Sequence, residues 1–156
     1  DCTLADSVEV KASCYLEGAK IGSRCTIGPF ARLRPDAELA EEVKIGNFVE
    51  VKKSKLAKGV KASHLTYIGD AEIGENTNIG CGVVTCNYAA DKKKYKTIIG
   101  KDVFVGSDSQ FVAPITVGDG AVIGSGSTIT KDVPAGALAV ARGRQFVKEN
   151  YTPKKG

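Results

Sequence analysis

The sequence predicts an all-β chain, a parallel β-helix of about seven coils built from hexapeptides. Three observations carry this. A large apolar residue recurs every six positions, as Ile21, Ile27, Leu33, Leu39, Ile45 and Val51, and again as Ile99, Val105, Phe111, Val117, Ile123 and Ile129. Four residues after the apolar position comes a second, mostly small one: Ala31, Ala37, Val43, Val49, Thr66, Thr77, Ala121 and Ser127. Glycine often follows the apolar residue directly, as at Gly22, Gly28, Gly46, Gly69, Gly74, Gly80, Gly100, Gly106, Gly118 and Gly124. A period of six fits neither the 3.6 of a helix nor the 2 of an ordinary strand.

The elements follow in order. The phase opens with Leu4, Val10 and Leu16, slips by one to Ile21, and runs unbroken to Val51. It slips again to Leu56, Ala62 and Ile68, and once more to Ile73 and Ile79. Each hexapeptide supplies one short strand and one corner, and three make a triangular coil of about 18 residues. The hexapeptide class implies left-handed coils, against the usual right-handed crossover. The helix is expected over residues 1–133, interrupted by an inserted loop at 85–98. That loop is polar, basic and aromatic, and loops on rigid scaffolds are where function collects. Residues 134–156, with Pro134, Gly136, Gly143 and Pro153, read as a tail packed on the last coil or on a neighbouring subunit.

Composition narrows the function. The net charge of +4 says little about nucleic acid, and no apolar run is long enough to span a bilayer. Lys92, Lys93, Lys94, Lys96 and Lys101 cluster, as do Arg142, Arg144, Lys148, Lys154 and Lys155. Such runs are either solvated surface or an attraction for a phosphorylated ligand. The five cysteines, Cys2, Cys14, Cys25, Cys81 and Cys86, show no paired spacing, so reduced thiols in a cytoplasmic protein are expected. The chain holds no Met and starts in repeat phase, which implies an upstream portion.

One histidine is present, His64, two residues after Ala62 and therefore off the inward positions. Histidine is the side chain best suited to act as a base near neutrality. Glu50 lies a little under one coil earlier and is expected to support it from the adjacent rung. A zinc centre is disfavoured, since a catalytic zinc takes about three protein ligands and only one His is available. Ser107 follows Gly106 at a corner with no second His to activate it. Its backbone N–H suits an oxyanion better than its hydroxyl suits attack.

Six segments carry a closer likeness: Ile27-Gly-Pro-Phe-Ala-Arg-Leu-Arg-Pro35, Gly46-Asn-Phe-Val-Glu-Val-Lys-Lys53, His64-Leu-Thr-Tyr-Ile-Gly-Asp70, Asn78-Ile-Gly80, Thr85-Cys-Asn-Tyr88 and Val103-Phe-Val-Gly-Ser-Asp108. In this order they resemble the C-terminal acetyltransferase domain of the bacterial bifunctional N-acetylglucosamine-1-phosphate uridyltransferase/glucosamine-1-phosphate N-acetyltransferases. The resemblance spans roughly residues 20–142. It implies acetyl transfer from acetyl-CoA to the amine of glucosamine 1-phosphate, on the route to UDP-N-acetylglucosamine for peptidoglycan and lipopolysaccharide.

The resemblance also implies roles. His64 would be the general base, with Glu50 behind it. Arg34 and Lys52 would hold the sugar phosphate, and Tyr67 and Asn78 the sugar. Asn87, Tyr88 and Ser107 would contact acetyl-CoA near its thioester, Cys81 and Ser125 would line its path, and Arg142 would meet its phosphate-bearing end. A sugar-binding lysine belongs in the loop. Counting back from Thr97 selects Lys94 and counting forward from Tyr88 selects Lys93, with Lys94 preferred beside the restored phase. The family is homotrimeric, with sites where subunits meet, and is fused to an N-terminal magnesium-dependent uridyltransferase domain whose activity this chain is not expected to carry. Two alternatives stay open: acylation of another amino sugar, and a non-catalytic β-helix that only trimerises.

Overall fold

A computed structural model describes residues 1–152; residues 153–156, with Pro153, Lys154 and Lys155 of the expected tail, lie outside the described residues. The chain winds into a left-handed parallel β-helix with three faces. The first face is a seven-stranded sheet running from Thr3–Leu4 to Ile115–Val117. The second and third faces join into one sheet because two long strands, Lys44–Lys52 and Lys61–Gly69, run continuously around the corner between them. Every strand pair is parallel and lies one coil apart.

The period of six decides what is buried. All twelve large apolar residues of the two unbroken series are at most 4 % exposed. The second inward set is buried as well, from Ala37 and Ser127 at 0 % to Thr66 at 4 %. Inward aliphatic residues from successive coils therefore stack into one continuous core along the axis. Leu4 and Val10 fit the phase yet stay exposed, because they lie on the first coil, where no described coil stacks beneath them.

Hydroxyls replace aliphatic groups where corners leave backbone groups unpaired. Ser54 Oγ donates to Lys52 O at 2.8 Å and accepts from Ala71 N at 3.0 Å. Thr85 Oγ1 accepts from Gly69 N at 2.7 Å. Backbone groups at these two turns are thus kept satisfied, while the buried Thr97 hydroxyl has no partner among the described residues. Corners run in the left-handed backbone region, which suits Asp36, Asn76 and Asp102 but is also taken by Phe30, Phe48 and Leu65.

Two boundaries differ from expectation. The stack continues beyond Val133: Leu138–Ala139 adds an eighth rung to the second face, pairing with Val122–Ile123. The expected tail thus begins inside the helix, and Thr128 N still bonds Ala141 O at 3.1 Å. The inserted loop is narrower than 85–98, because Val84–Cys86 and Thr97–Ile99 are regular strands on either side of it. All five cysteines are free, and burial pushes the thiols of Cys25 and Cys86 up. Among the described residues no helix is long and apolar enough to cross a membrane.

Candidate functional site

The expected site residues fall into two groups, set on different corners of the triangle. The first lines the corner between the second and third faces. Here His64 faces Asn47 in register one coil back, and Gly82 N bonds Leu65 O, carrying the same corner forward to Cys81. Asp108 N then bonds Cys81 O at 2.7 Å, and Gly126 N bonds Ser107 O at 2.8 Å. Arg142 closes the row by donating from Nη1 to Ser125 O at 2.7 Å. His64, Cys81, Ser107, Ser125 and Arg142 therefore form one exposed track parallel to the helix axis, stepping about 4.8 Å per coil. Ser107 N–H donates to no backbone acceptor among the described residues. Asn78 lies beside this track on the outer side of the second face, in register with Lys61 and Phe104.

His64 is oriented by Asn47, not by Glu50. Its Nδ1 lies 2.8 Å from Asn47 Oδ1. With Asn47 presenting oxygen, Nδ1 carries the proton and Nε2 of the neutral ring keeps its lone pair. The expectation for Glu50 is corrected. Glu50 lies opposite Tyr67, and its carboxylate takes Arg34 Nη1 at 2.9 Å and Arg32 Nη1 at 3.9 Å. The reason is spacing: one coil here is 17 residues, which sets Asn47 behind His64, and Glu50, only 14 residues before His64, falls past the corner on the third face, opposite Tyr67.

The second group sits at the corner between the third and first faces. Lys52 and Gly69 are in register, and Arg34 lies one coil earlier, where its N–H bonds Val51 O. Lys94 from the loop comes against Lys52. Lys94, with Arg34 behind it, holds the Lys52 ammonium below the usual lysine range. Of the two candidate loop lysines, Lys94 is thus the one at this corner. Lys93 instead uses its backbone N–H on Asp91 Oδ1 at 2.9 Å. Arg34 is already paired with Glu50, whereas Lys52 and Lys94 have no salt-bridge partner among the described residues, which gives this corner a local positive potential.

A polar cluster adjoins them. Asn87, 7 % exposed, donates from Nδ2 to Asp70 Oδ2 at 2.5 Å and lies 3.4 Å from the Tyr67 hydroxyl. Gly69 makes this possible, since a Cβ there would run into the Tyr67 hydroxyl and the Asn87 amide. Asp70 and Asn47 both escaped the sequence reading, although both lie inside motifs it singled out. The loop is tied to itself: Tyr95 N bonds Asn87 O at 2.9 Å, the Tyr95 hydroxyl donates to Asp91 Oδ2 at 2.6 Å, and Tyr88 bridges Lys94. Tyr88 itself is exposed.

The two corners flank the third face. From His64 to Gly69 the chain runs five residues, about 16 Å when extended. One chain thus presents His64 with a narrow track on one edge and the crowded cations with a polar cluster on the other.

Comparison with known proteins fits this picture. The family described as bacterial transferase hexapeptide (six repeats) matches residues 18–53 and 96–131. The bifunctional protein GlmU of Bdellovibrio bacteriovorus is 66% identical over 154 residues, covering 99% of this chain and 34% of that protein. The bifunctional protein GlmU of Nitratidesulfovibrio vulgaris is 59% identical over 137 residues, covering 88% of this chain and 30% of that protein. The chain thus spans about a third of the length of the curated relatives it matches. Among solved structures, a UDP-N-acetylglucosamine acyltransferase from Campylobacter jejuni superposes with a TM-score of 0.65 at 16% identity, over 90% of this chain and 67% of that one. The acetyltransferase domain of PglB from Neisseria gonorrhoeae, in complex with acetyl coenzyme A, gives 0.55 at 18% identity, over 89% and 54%. At these identities the two structures speak for the fold alone.

Proposed function

We propose, from the premise that this chain is related to the bifunctional GlmU proteins and carries the repeats of the bacterial hexapeptide transferases, that it transfers acetyl from acetyl-CoA to the amine of glucosamine 1-phosphate. The observation that carries the reading is the presence on one chain of a histidine oriented through Nδ1 by Asn47 and a corner of crowded cations.

The chemistry needs both. An ammonium has no lone pair, so the attacking amine must be neutral, and a base must take a proton as the C–N bond forms. His64 Nε2 holds a lone pair for that step, and Asn47 stabilises the protonated ring by accepting from Nδ1. The thioester carbonyl becomes an oxyanion, towards which the free Ser107 N–H is a fitting donor. Collapse expels the CoA thiolate, and no covalent acyl-enzyme is required. Cys81, Ser107, Ser125 and Arg142 hold the cofactor along the corner, with the Arg142 guanidinium at its phosphate-bearing end. Arg34, Lys52 and Lys94 take the sugar phosphate, because two or three cations suit a dianion. Tyr67 and Asn78 hold the sugar.

Glucosamine 1-phosphate carries its amine and its phosphate on neighbouring carbons. Base and cations at opposite edges of one face do not easily meet on so small a molecule. This favours a site completed by two copies: the His64 track of one chain beside the cationic corner of the next, repeated around a threefold axis. The reaction would supply N-acetylglucosamine 1-phosphate to a nucleotidyl transfer, and the chain would act as a soluble cytoplasmic domain.

The test is thiol release from acetyl-CoA in the presence of glucosamine 1-phosphate or plain glucosamine. Turnover with the phosphorylated amine and about 10-fold or more weaker turnover with glucosamine is expected. Equal rates would remove the phosphate role of Arg34, Lys52 and Lys94. Release with neither amine would leave the trimerising scaffold as the reading.

A further inference from the structure

Asp70 is a carboxylate that no step above uses, yet it sits at the centre of the second corner. Its backbone N–H bonds Lys52 O and its carbonyl accepts from Thr97 N, both at 3.1 Å, so it joins the rung bearing Lys52 to the end of the inserted loop. Its side chain reaches Asn87, at the start of that loop, at 2.5 Å. Among the described residues no cation pairs with Asp70. A half-buried carboxylate with a neutral amide as its partner calls for a role.

The chemistry of the pair is one-directional. An ionised carboxylate only accepts, while an amide can turn either its nitrogen or its oxygen towards a partner. Beside Asp70, the nitrogen of Asn87 must face inward. The Tyr67 hydroxyl lies at the same nitrogen, at 3.4 Å. Asn87 Oδ1 receives no hydrogen bond from the protein among the described residues.

We propose that Asp70 is a positioning residue: it fixes the amide of Asn87 so that Asn87 meets its ligand through Oδ1, as an acceptor of an N–H. This rests on the acetyl-transfer reading, in which two sources offer such an N–H, the amides of the pantetheine arm and the amine of the sugar. An Asn87 free to turn would offer its NH2 instead, and donor would meet donor.

The experiment exchanges the two side chains. Asn87→Asp alone sets two carboxylates against each other. It should lower kcat/KM at least about 10-fold, with a lowered thermal midpoint. The double variant Asp70→Asn/Asn87→Asp restores a donor at 70 and an acceptor at 87, and it still points an oxygen at the ligand. It should return to within about 5-fold of the parent, which shows that the two side chains act as a pair. Asp70→Ala should raise one KM about 10-fold while leaving the other within about 2-fold. A rise for acetyl-CoA identifies the pantetheine amide, and a rise for glucosamine 1-phosphate identifies the amine. Calorimetric binding of CoA and of glucosamine 1-phosphate to the same variants reads both arms without turnover, so a parent chain that fails to acetylate would sink the acetyl-transfer reading and still leave Asp70 decided. If Asn87→Asp does not fold, the double variant and Asp70→Ala carry the test. A double variant no better than Asn87→Asp, or Asp70→Ala with both ligands unaffected, overturns the proposal.

Discussion

His64 and Asn47 face each other across one coil, with Nδ1 and Oδ1 2.8 Å apart. The bond sets which ring nitrogen is basic. Replacing His64 with Ala should lower kcat about 10²- to 10⁴-fold, the usual contribution of a general base. Asn47→Ala should lower it about 2- to 10-fold, the worth of one hydrogen bond, and should shift the acidic limb of the pH–rate profile. A pH profile identical to that of the parent chain would deny Asn47 the role.

Lys52 should answer to an anion. Its ammonium is held below the usual lysine range by Lys94 and Arg34, because the like charges repel one another at this corner. A bound dianion reverses that. Millimolar inorganic phosphate is therefore expected to raise the melting temperature of the parent chain, and to do so much less in Lys52→Ala or Arg34→Ala. The same substitutions should raise KM for glucosamine 1-phosphate about 10- to 100-fold with little change for acetyl-CoA. Unaltered KM values would remove these two residues from the phosphate site.

Gly69 has no room for a side chain. Gly69→Ala would drive a methyl into the Tyr67 hydroxyl and the Asn87 amide, both at the polar cluster. Overpacking of this kind costs about 1–3 kcal/mol, so thermal unfolding should move down by several degrees. Activity should fall further than stability alone explains, because the displaced groups belong to the site. Gly120→Ala, where no atom lies within 4 Å but φ is +66°, provides the contrast of backbone strain without displacement of the cluster.

The loop has a pH window. The Tyr95 hydroxyl and the Lys93 N–H hold the Asp91 carboxyl below its ordinary range, and Asp91 in turn raises the Tyr95 phenol. For Asp91, whose folded pKa is depressed, the stabilisation is complete above about pH 4 and is lost as pH falls through the folded value. For Tyr95, whose folded pKa is raised, it is complete below about pH 10 and is lost as pH rises through the folded value. Amide protection at Lys93, taken relative to intrinsic exchange at each pH, should be greatest between these limits and fall on either side. Asp91→Ala should give faster exchange with neither limb. A parent chain whose Lys93 protection is flat through both limits would contradict this.

The scaffold was legible because burial in a β-helix has a fixed period. Ile27, Leu33 and Val105 could be placed inside from spacing alone, and each is fully buried. The end of the stack was harder to read. Pro134 and Gly136 look like a tail, yet Leu138–Ala139 still pairs with the rung before it, since a strand of two residues needs little sequence signal. At the site, spacing showed that His64 is free of core duty but misplaced its partner. Glu50 lies 14 residues before His64, three short of the 17-residue step that brings Asn47 opposite, and those three residues carry it round the corner to face Tyr67. Glu50 is instead drawn to Arg34 by charge. Asp70 was hidden for another reason: at a corner position an Asp is already explained by its backbone, here at φ 48°, so nothing in the sequence marks its side chain as in use.

Mixing two crippled chains tests most directly whether His64 of one copy serves the cationic corner of another. His64→Ala and Lys52→Ala chains, each nearly inactive alone, would be co-expressed in equal amounts and assayed for acetyl transfer to glucosamine 1-phosphate. If each site joins two copies, random assembly leaves about a quarter of the sites with both residues intact, and activity returns to about a quarter of the parent level. If each site lies within one chain, no site in the mixture holds both residues, and the mixture stays as inactive as its parts.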